Sequence, residues 1–326
     1  MPVVGIDIAK LTFEAAWWVD GRWKTQSFKN DTEGFAKLKN LLGEKHHVCL
    51  EATGRYGSSL ALSLFEAGHD VSVVNPLRIK RYSESRLRRT KTDRADAILI
   101  AEFCDKERPG PWMPLATEVE ELRELVRRRE HVLGMQQMER NRNLAGPVSA
   151  SVAASIERSL VFWREELERV EKAIEAHFKA NSDLNDQRKL LVSIPGLGSL
   201  SAAILLAEIG DISQFASAKH LAAFAGLVPN ERSSGTSVRG RAGIGKMGNP
   251  RIRRVLYMAT LSAKRCNPPI REFCENLLKT KPGRVVHVAA MRKLIHQAYG
   301  VLKHQRPFDP NAANPPRREE RELPSS

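Results

Sequence analysis

An aspartate stands inside the first apolar run of the chain, Val3-Val4-Gly5-Ile6-Asp7-Ile8-Ala9, and a charge there limits what the run can belong to. The run is too short for a helix and rich in β-branched residues, so it reads as a buried strand. A carboxylate on a buried strand needs a partner, and a metal ion would supply one.

The following segments set the architecture. Residues 12–19 and 22–28 are two more strand-like runs, with Asp20-Gly21 as a tight turn between them, which predicts an antiparallel meander. A helical stretch over 33–43 comes next, then a strand ending at His47-Val48-Cys49-Leu50-Glu51, a helix near 57–67 and a strand over 70–74 before Asn75-Pro76. Three strands followed by alternating helices and strands predict an α/β ribonuclease-H-like (RuvC-like) domain over residues 1–108, with helices covering a mixed sheet.

From Leu115 the chain turns to long, charged helix. Leu115, Val119, Leu122 and Val126 step at helical spacing, as do Leu160, Trp163, Leu167, Val170 and Ile174, and Gly146-Pro147 breaks the pattern between them. This predicts a helical coiled-coil hairpin over 109–184 that pairs within the chain or between subunits, with a plain helical linker as the alternative. Residues 185–308 read as a mainly α domain. Its first two apolar helices meet at Pro195-Gly196-Leu197-Gly198. Such a turn resembles a helix-hairpin-helix, in which Gly196 and Gly198 would let backbone N–H groups approach a DNA phosphate, and a plain helix turn fits the same pattern. The polar, Pro-rich segment 309–326 is predicted to be disordered.

Charge points to the partner. Lys and Arg number 52 against 38 Asp and Glu, a net charge of +14, which favours a polyanion over a small neutral substrate. The four cysteines are scattered, without a CxxC pair, so neither a zinc site nor a disulfide framework is expected. No apolar run approaches the roughly 20 residues that span a bilayer, and no leader pattern opens the chain. A cytoplasmic protein without a membrane partner is expected.

Three further acids join Asp7. Glu51 closes its strand, and Asp93 and Asp96, three apart at the start of an amphipathic helix, face one side. Asp93 as a helix cap is the alternative for that residue. Together, Asp7, Glu51, Asp93 and Asp96 predict a site for Mg²⁺ or Mn²⁺, where two cations roughly 3.5–4 Å apart would activate a nucleophile and stabilise a leaving oxygen. A basic run leads into it: Arg78, Lys80, Arg81, Arg86, Arg88, Arg89 and Lys91 are candidates for phosphate contacts. A second basic segment, rich in Gly and Ser, follows Pro229 and carries Arg239, Arg241, Lys246, Arg251, Arg253 and Arg254 without an acid after Arg239. It reads as a flexible loop entering a helix near Pro250 and suited to lie against phosphates, with a disordered surface loop as the alternative.

The strings GIDIAK, LEATGRYG, VVNPLRIKRYSES and KTDRADAILIAEF resemble those of the DEDD insertion-sequence transposases, the IS-one-ten family. SIPGLG, LAAFAGLVP, SSGTSVRGRAGIGKMGNPRIRRVLYMA and MRKLIHQAYGVL resemble that family's second domain, and together the strings cover most of residues 1–308. Matched position by position, the family's four acids fall on Asp7, Glu51, Asp93 and Asp96, and its serine nucleophile on Ser234. That serine would attack a DNA phosphate and form a covalent phosphoserine, with Arg239 and Arg241 stabilising transition-state charge. Ser233, Thr236 and Ser237 beside it depart from a lone-serine pattern, which leaves Ser233 as a rival. The resemblance further implies a homo-oligomer, dimer or tetramer, in which the two catalytic domains meet around DNA, and a noncoding guide RNA that selects sequence by base pairing.

The competing readings are a RuvC-like nuclease that uses water, with the serine loop only binding DNA, and a catalytically inert nucleic-acid binder. An actin-like kinase is disfavoured, because its phosphate loop wants Gly and Thr where Ile8-Ala9-Lys10 stand.

Overall fold

The computed structural model describes residues 1–311 apart from 53, 87–91, 147–148, 231–232, 235–237, 240–242 and 245–247. The chain divides into two compact units, Met1–Pro114 and Leu115–Ser326.

The first unit contains β1 (Val3–Ile8), β2 (Thr12–Val19), β3 (Arg22–Lys29), α1 (Thr32–Leu42), β4 (His47–Glu51), α2 (Arg55–Glu66), β5 (Asp70–Val74), α3 (Pro76–Ser85) and α4 (Asp93–Glu107). Its sheet has the order β3-β2-β1-β4-β5. β1, β2 and β3 form the antiparallel meander, while β1, β4 and β5 run parallel, so the mixed sheet fits the ribonuclease-H-like expectation. Asp20 and Gly21 both have positive φ, 52° and 74°, as the two-residue turn between twisted strands requires.

The period-two alternation of β1 sorts its side chains. Val4, Ile6 and Ile8 join Phe13, Leu38, Leu60 and Leu64 in one apolar cluster, on the face covered by α1 and α2. Val3 belongs to the opposite cluster, with Ile79, Leu99 and Phe103 of α3 and α4. Gly5 and Asp7 share the face of Val3. Any Cβ on Gly5 would overlap backbone atoms of Ala97 and Ala101, and Ala16, Gly5's partner on β2, packs against the same two alanines. Small residues on three elements therefore let α4 lie almost directly on β1.

The second unit contains α5 (Thr117–Leu144), α6 (Ala150–Ala180), α7 (Ser182–Val192), α8 (Ser199–Ile209), a 3-10 turn at Ile212–Gln214, α9 (Ala218–Phe224), α10 (Pro250–Cys266), α11 (Pro268–Leu278) and α12 (Gly283–His304). Between α9 and α10 the described residues include the two-residue strands β6 (Pro229–Asn230), β7 (Ser233–Ser234), β8 (Val238–Arg239) and β9 (Gly243–Ile244). The segment expected to be a flexible loop thus contains paired strands, β6 with β9 and β7 with β8, and is in part a β-arm. Leu205, Leu206, Ile252, Leu256, Leu294 and Ile295 belong to the one large core of this unit.

α5 and α6 pack along each other. Arg128 pairs with Glu166, and Glu121 with His177, so the partner number rises as the α5 number falls and the pair is antiparallel. Leu115 precedes the helix rather than opening its seam. The buried residues Leu122, Val126, Val132 and Gln136 on α5, and Ile156, Leu160, Val170, Ile174 and Phe178 on α6, do not keep an unbroken heptad spacing. A coiled coil is therefore not established by the packing, although the hairpin is. Residues 312–326, most of the segment expected to be disordered, lie outside the described residues. Among the described residues no helix is long and apolar enough to cross a membrane.

Candidate active site

The site is built on the C-terminal ends of two parallel strands and the start of one helix. Ile6 of β1 lies opposite Leu50 of β4, so the next residues along, Asp7 and Glu51, emerge side by side. α4 contributes from above. Ala97 and Ala101 sit on Gly5, and one turn earlier on the same stripe stands Asp93, carried beyond Gly5 in the direction of Asp7. Thr92 caps this helix, its Oγ1 accepting from the Ala95 backbone N–H at 3.2 Å. Asp93 is consequently the first helical residue and not the cap.

The charge of the other three acids bears on Asp7. The Asp7 carboxyl is pushed from 3.8 to about 6 by burial first, then by Asp96, Asp93 and Glu51. Burial and then Asp96 also raise Glu51. Among the described residues, however, no three Asp, Glu, His or Cys side chains are grouped closely enough to hold a metal ion as they stand. The acids meet at electrostatic range.

The chemistry nonetheless fits a hard divalent cation. Every donor in the group is a carboxylate oxygen, the preference of Mg²⁺ and Mn²⁺ rather than of zinc. A cation would relieve both burial and mutual repulsion at Asp7. Beside it lies an acid that the sequence reading missed. Glu14 on β2 pairs with Asp7 in register, is buried, and its Oε1 has no hydrogen-bond partner among the described residues. The signal was present, since Glu14 interrupts the apolar strand Thr12–Val19 as Asp7 interrupts β1.

In the same unit, α3 carries Arg78, Lys80 and Arg81, with Arg86 at its C-terminus, all exposed. Arg78 lies over the Phe103 ring, and Arg86 donates to the Tyr82 hydroxyl at 3.0 Å. Arg88, Arg89 and Lys91 lie outside the described residues, as do Arg241 and Lys246.

In the second unit, Ser234 lies in β7 opposite Val238, and Ser233 opposite Arg239. The arm is clamped at its foot. The Asn249 backbone N–H donates to Phe224 O at 2.8 Å, and its side-chain oxygen caps α10 by accepting from Arg251 and Ile252. Its Nδ2 donates to Glu208 at 2.8 Å. Burial alone would raise the Glu208 carboxyl, but Arg127 and Asn249 outweigh it and hold it below the usual range. Arg251 donates to Glu130 at 2.7 Å and stands 3.8 Å from Glu208. Arg254 also pairs with Glu130, and Arg253 donates to Ala225 O at 3.1 Å. These three arginines, expected at phosphates, are engaged within the protein. Of the two turn glycines, Gly196 (φ 104°) is pressed on Ala263, whose Cβ would lie 2.6 Å from an added Cβ, whereas Gly198 faces open space. Close packing accounts for the first glycine without a phosphate.

Residues 4–145 match a family described as Transposase, the DEDD group of IS110. Residues 188–275 match the Transposase IS116/IS110/IS902 family. The chain is 36% identical over 314 residues to the pilin gene-inverting protein of Moraxella bovis, covering 94% of this chain and 97% of that one. It is 29% identical over 276 residues to putative transposase y4qE of Sinorhizobium fredii, with 78% and 69% covered. The transposase for insertion sequence element IS1111A of Coxiella burnetii shares 42% over 82 residues, 25% of this chain and 22% of that one.

Proposed function

Because this chain belongs to the IS110 family of DNA transposases and recombinases, we propose that it moves an insertion sequence by serine transesterification at DNA phosphates. The charge of Glu51, Asp93 and Asp96 bearing on Asp7, and of Asp96 on Glu51, supports this reading. These four acids would hold Mg²⁺ or Mn²⁺, which when bound supplies charge neutralisation at the reacting phosphate. Ser234 Oγ bonds to phosphorus as a bridging P–O bond breaks, and the leaving oxygen takes up a proton in place of the one Oγ loses. The phosphodiester energy is kept in the serine ester, so rejoining is the same step reversed with a different hydroxyl. Arg239, opposite Ser233 in the β-arm, is the candidate for neutralising the phosphate, and exposed Arg78, Lys80, Arg81 and Arg86 for holding the strand. A noncoding guide RNA would choose the DNA. The exposed Met135, Met138, Leu144 and Phe162 on the α5–α6 hairpin support a homo-oligomer, dimer or tetramer.

Labelled junction DNA, Mg²⁺ and RNA transcribed from the flanking noncoding region, run on a denaturing gel with the protein, test this. A labelled band at protein mass that maps to Ser234, and its loss by at least about a thousandfold in Ser234→Ala, is expected. Free cleaved strands that persist in Ser234→Ala would replace the recombinase with a hydrolytic nuclease.

One observation favours a second substrate arrangement for the same chemistry: a relative matched over 94% of this chain is named for gene inversion. A plasmid carrying two inverted junction sequences distinguishes the two, since inversion flips the intervening segment and transposition does not.

A further inference from the structure

Glu14 is only 7% exposed, yet among the described residues nothing donates a hydrogen bond to its Oε1. A buried carboxylate oxygen in that state needs a cation. The structure offers one weak answer. Arg94 Nε stands 3.6 Å from Oε1, beyond hydrogen-bond range, and the Arg94 side chain is 79% exposed, free to leave.

The position of Glu14 narrows what else could answer. It lies directly opposite Asp7 across the β1–β2 ladder, and residues so paired project from the same face of the sheet. Two residues along β2, on that same face, Ala16 packs under Ala97 and Ala101, so Glu14 continues the strip that α4 covers, toward the helix start. Arg94, which pairs with it at 3.6 Å, follows Asp93 directly. Glu14 thus lies between the two strands and the first turn of α4.

We propose that Glu14 is a fifth carboxylate of the acidic site, a positioning residue whose negative charge helps hold a divalent cation between Asp7 and the first turn of α4, with Arg94 as the competing counter-ion in the cation-free protein. This rests on the reading of Asp7, Glu51, Asp93 and Asp96 as the cation-holding group. It adds a residue from β2, and it assigns Arg94 a role opposite in sign to that of the other basic side chains nearby.

Mn²⁺ titration of the full chain without nucleic acid, followed by calorimetry and by the Mn²⁺ electron paramagnetic resonance signal, tests the proposal on four proteins. Glu14→Gln should weaken Mn²⁺ binding roughly tenfold, the scale of outer carboxylates around metals. Arg94→Gln, an exposed change that leaves folding intact, should tighten it about threefold. In the double variant the Arg94→Gln gain should shrink to near nothing, because its beneficiary is gone. A merely structural Glu14–Arg94 pair would move both single variants in the same direction. Unchanged affinity in Glu14→Gln, or an Arg94→Gln gain that is the same with and without Glu14, overturns the proposal. Asp7→Asn separates the two layers: if it binds Mn²⁺ as tightly as the natural chain, the whole acidic-site reading falls, whereas its loss beside an unaffected Glu14→Gln removes only Glu14.

Discussion

At the scale of single residues, Asp7 is held against its own interest. Its carboxyl is raised from 3.8 to about 6 because burial and then Asp96, Asp93 and Glu51 penalise the charged form. A raised carboxylate favours the folded state when protonated. The stability it contributes is fully present below about pH 3.8 and is lost as pH rises through about 6. The cation-free first unit should therefore lose stability over that window relative to Asp7→Asn, which has no charge to bury. Thermal unfolding in chelator should show the variant melting roughly 4 °C higher than the natural chain at pH 7.5, with the gap closing at pH 4. Mn²⁺ at pH 7.5 should reverse the order, since only the natural chain gains a cation. Equal melting at both pH values would mean that Asp7 bears no such penalty.

At the scale of elements, α4 positions half of the acids, and its seat is a glycine. The atoms that a Cβ on Gly5 would strike are backbone atoms of Ala97 and Ala101, so no side-chain adjustment relieves the overlap. Gly5→Ala should destabilise the first unit by about 3 kcal/mol and reduce DNA cleavage more than folding alone explains, because α4 and its acids move off β1. Urea unfolding within about 0.5 kcal/mol of the natural chain would show that the helix is not so tightly seated. This seat was not legible in the sequence. The strands, the Asp20-Gly21 hairpin and the helix starting at Pro250 were, because alternation, turn chemistry and proline at a helix start are local signals. The contact of Gly5 with Ala97 and Ala101 joins residues more than ninety apart, and periodicity carries no distance of that kind. Glu14 was a different omission. An acid in an apolar strand was read as functional at Asp7 and passed over seven residues later, although the same burial argument applied. The Gly and Ser content after Pro229 predicts a flexible loop, but the pairing of Ser233 and Ser234 with Arg239 and Val238 is a tertiary choice that composition does not encode.

At the scale of the whole molecule, the net charge of +14 is not one uniform reservoir for binding nucleic acid. Lys80, Arg81 and Arg86 stand exposed on and just after α3. Arg251 is two-thirds buried between Glu130 and the almost fully buried Glu208, and Glu208 also anchors Asn249 at the foot of the β-arm. The same loss of positive charge should then have two different consequences. Replacing Lys80, Arg81 and Arg86 together by Gln should leave the melting temperature unchanged, weaken DNA binding and lower the slope of log affinity against log salt by up to about three, near one per phosphate contact. Arg251→Gln should do the reverse. It should cost about 1.5–3 kcal/mol of stability in the second unit, the scale of a hydrogen bond to a charged group, while the salt slope changes by less than one. Fluorescence anisotropy across a salt series, paired with calorimetric unfolding, measures both quantities on each variant. A lowered salt slope with intact stability in Arg251→Gln would show that the arginine leaves Glu130 and Glu208 to meet DNA, and the clamp at the foot of the arm would then be a resting contact rather than a structural one.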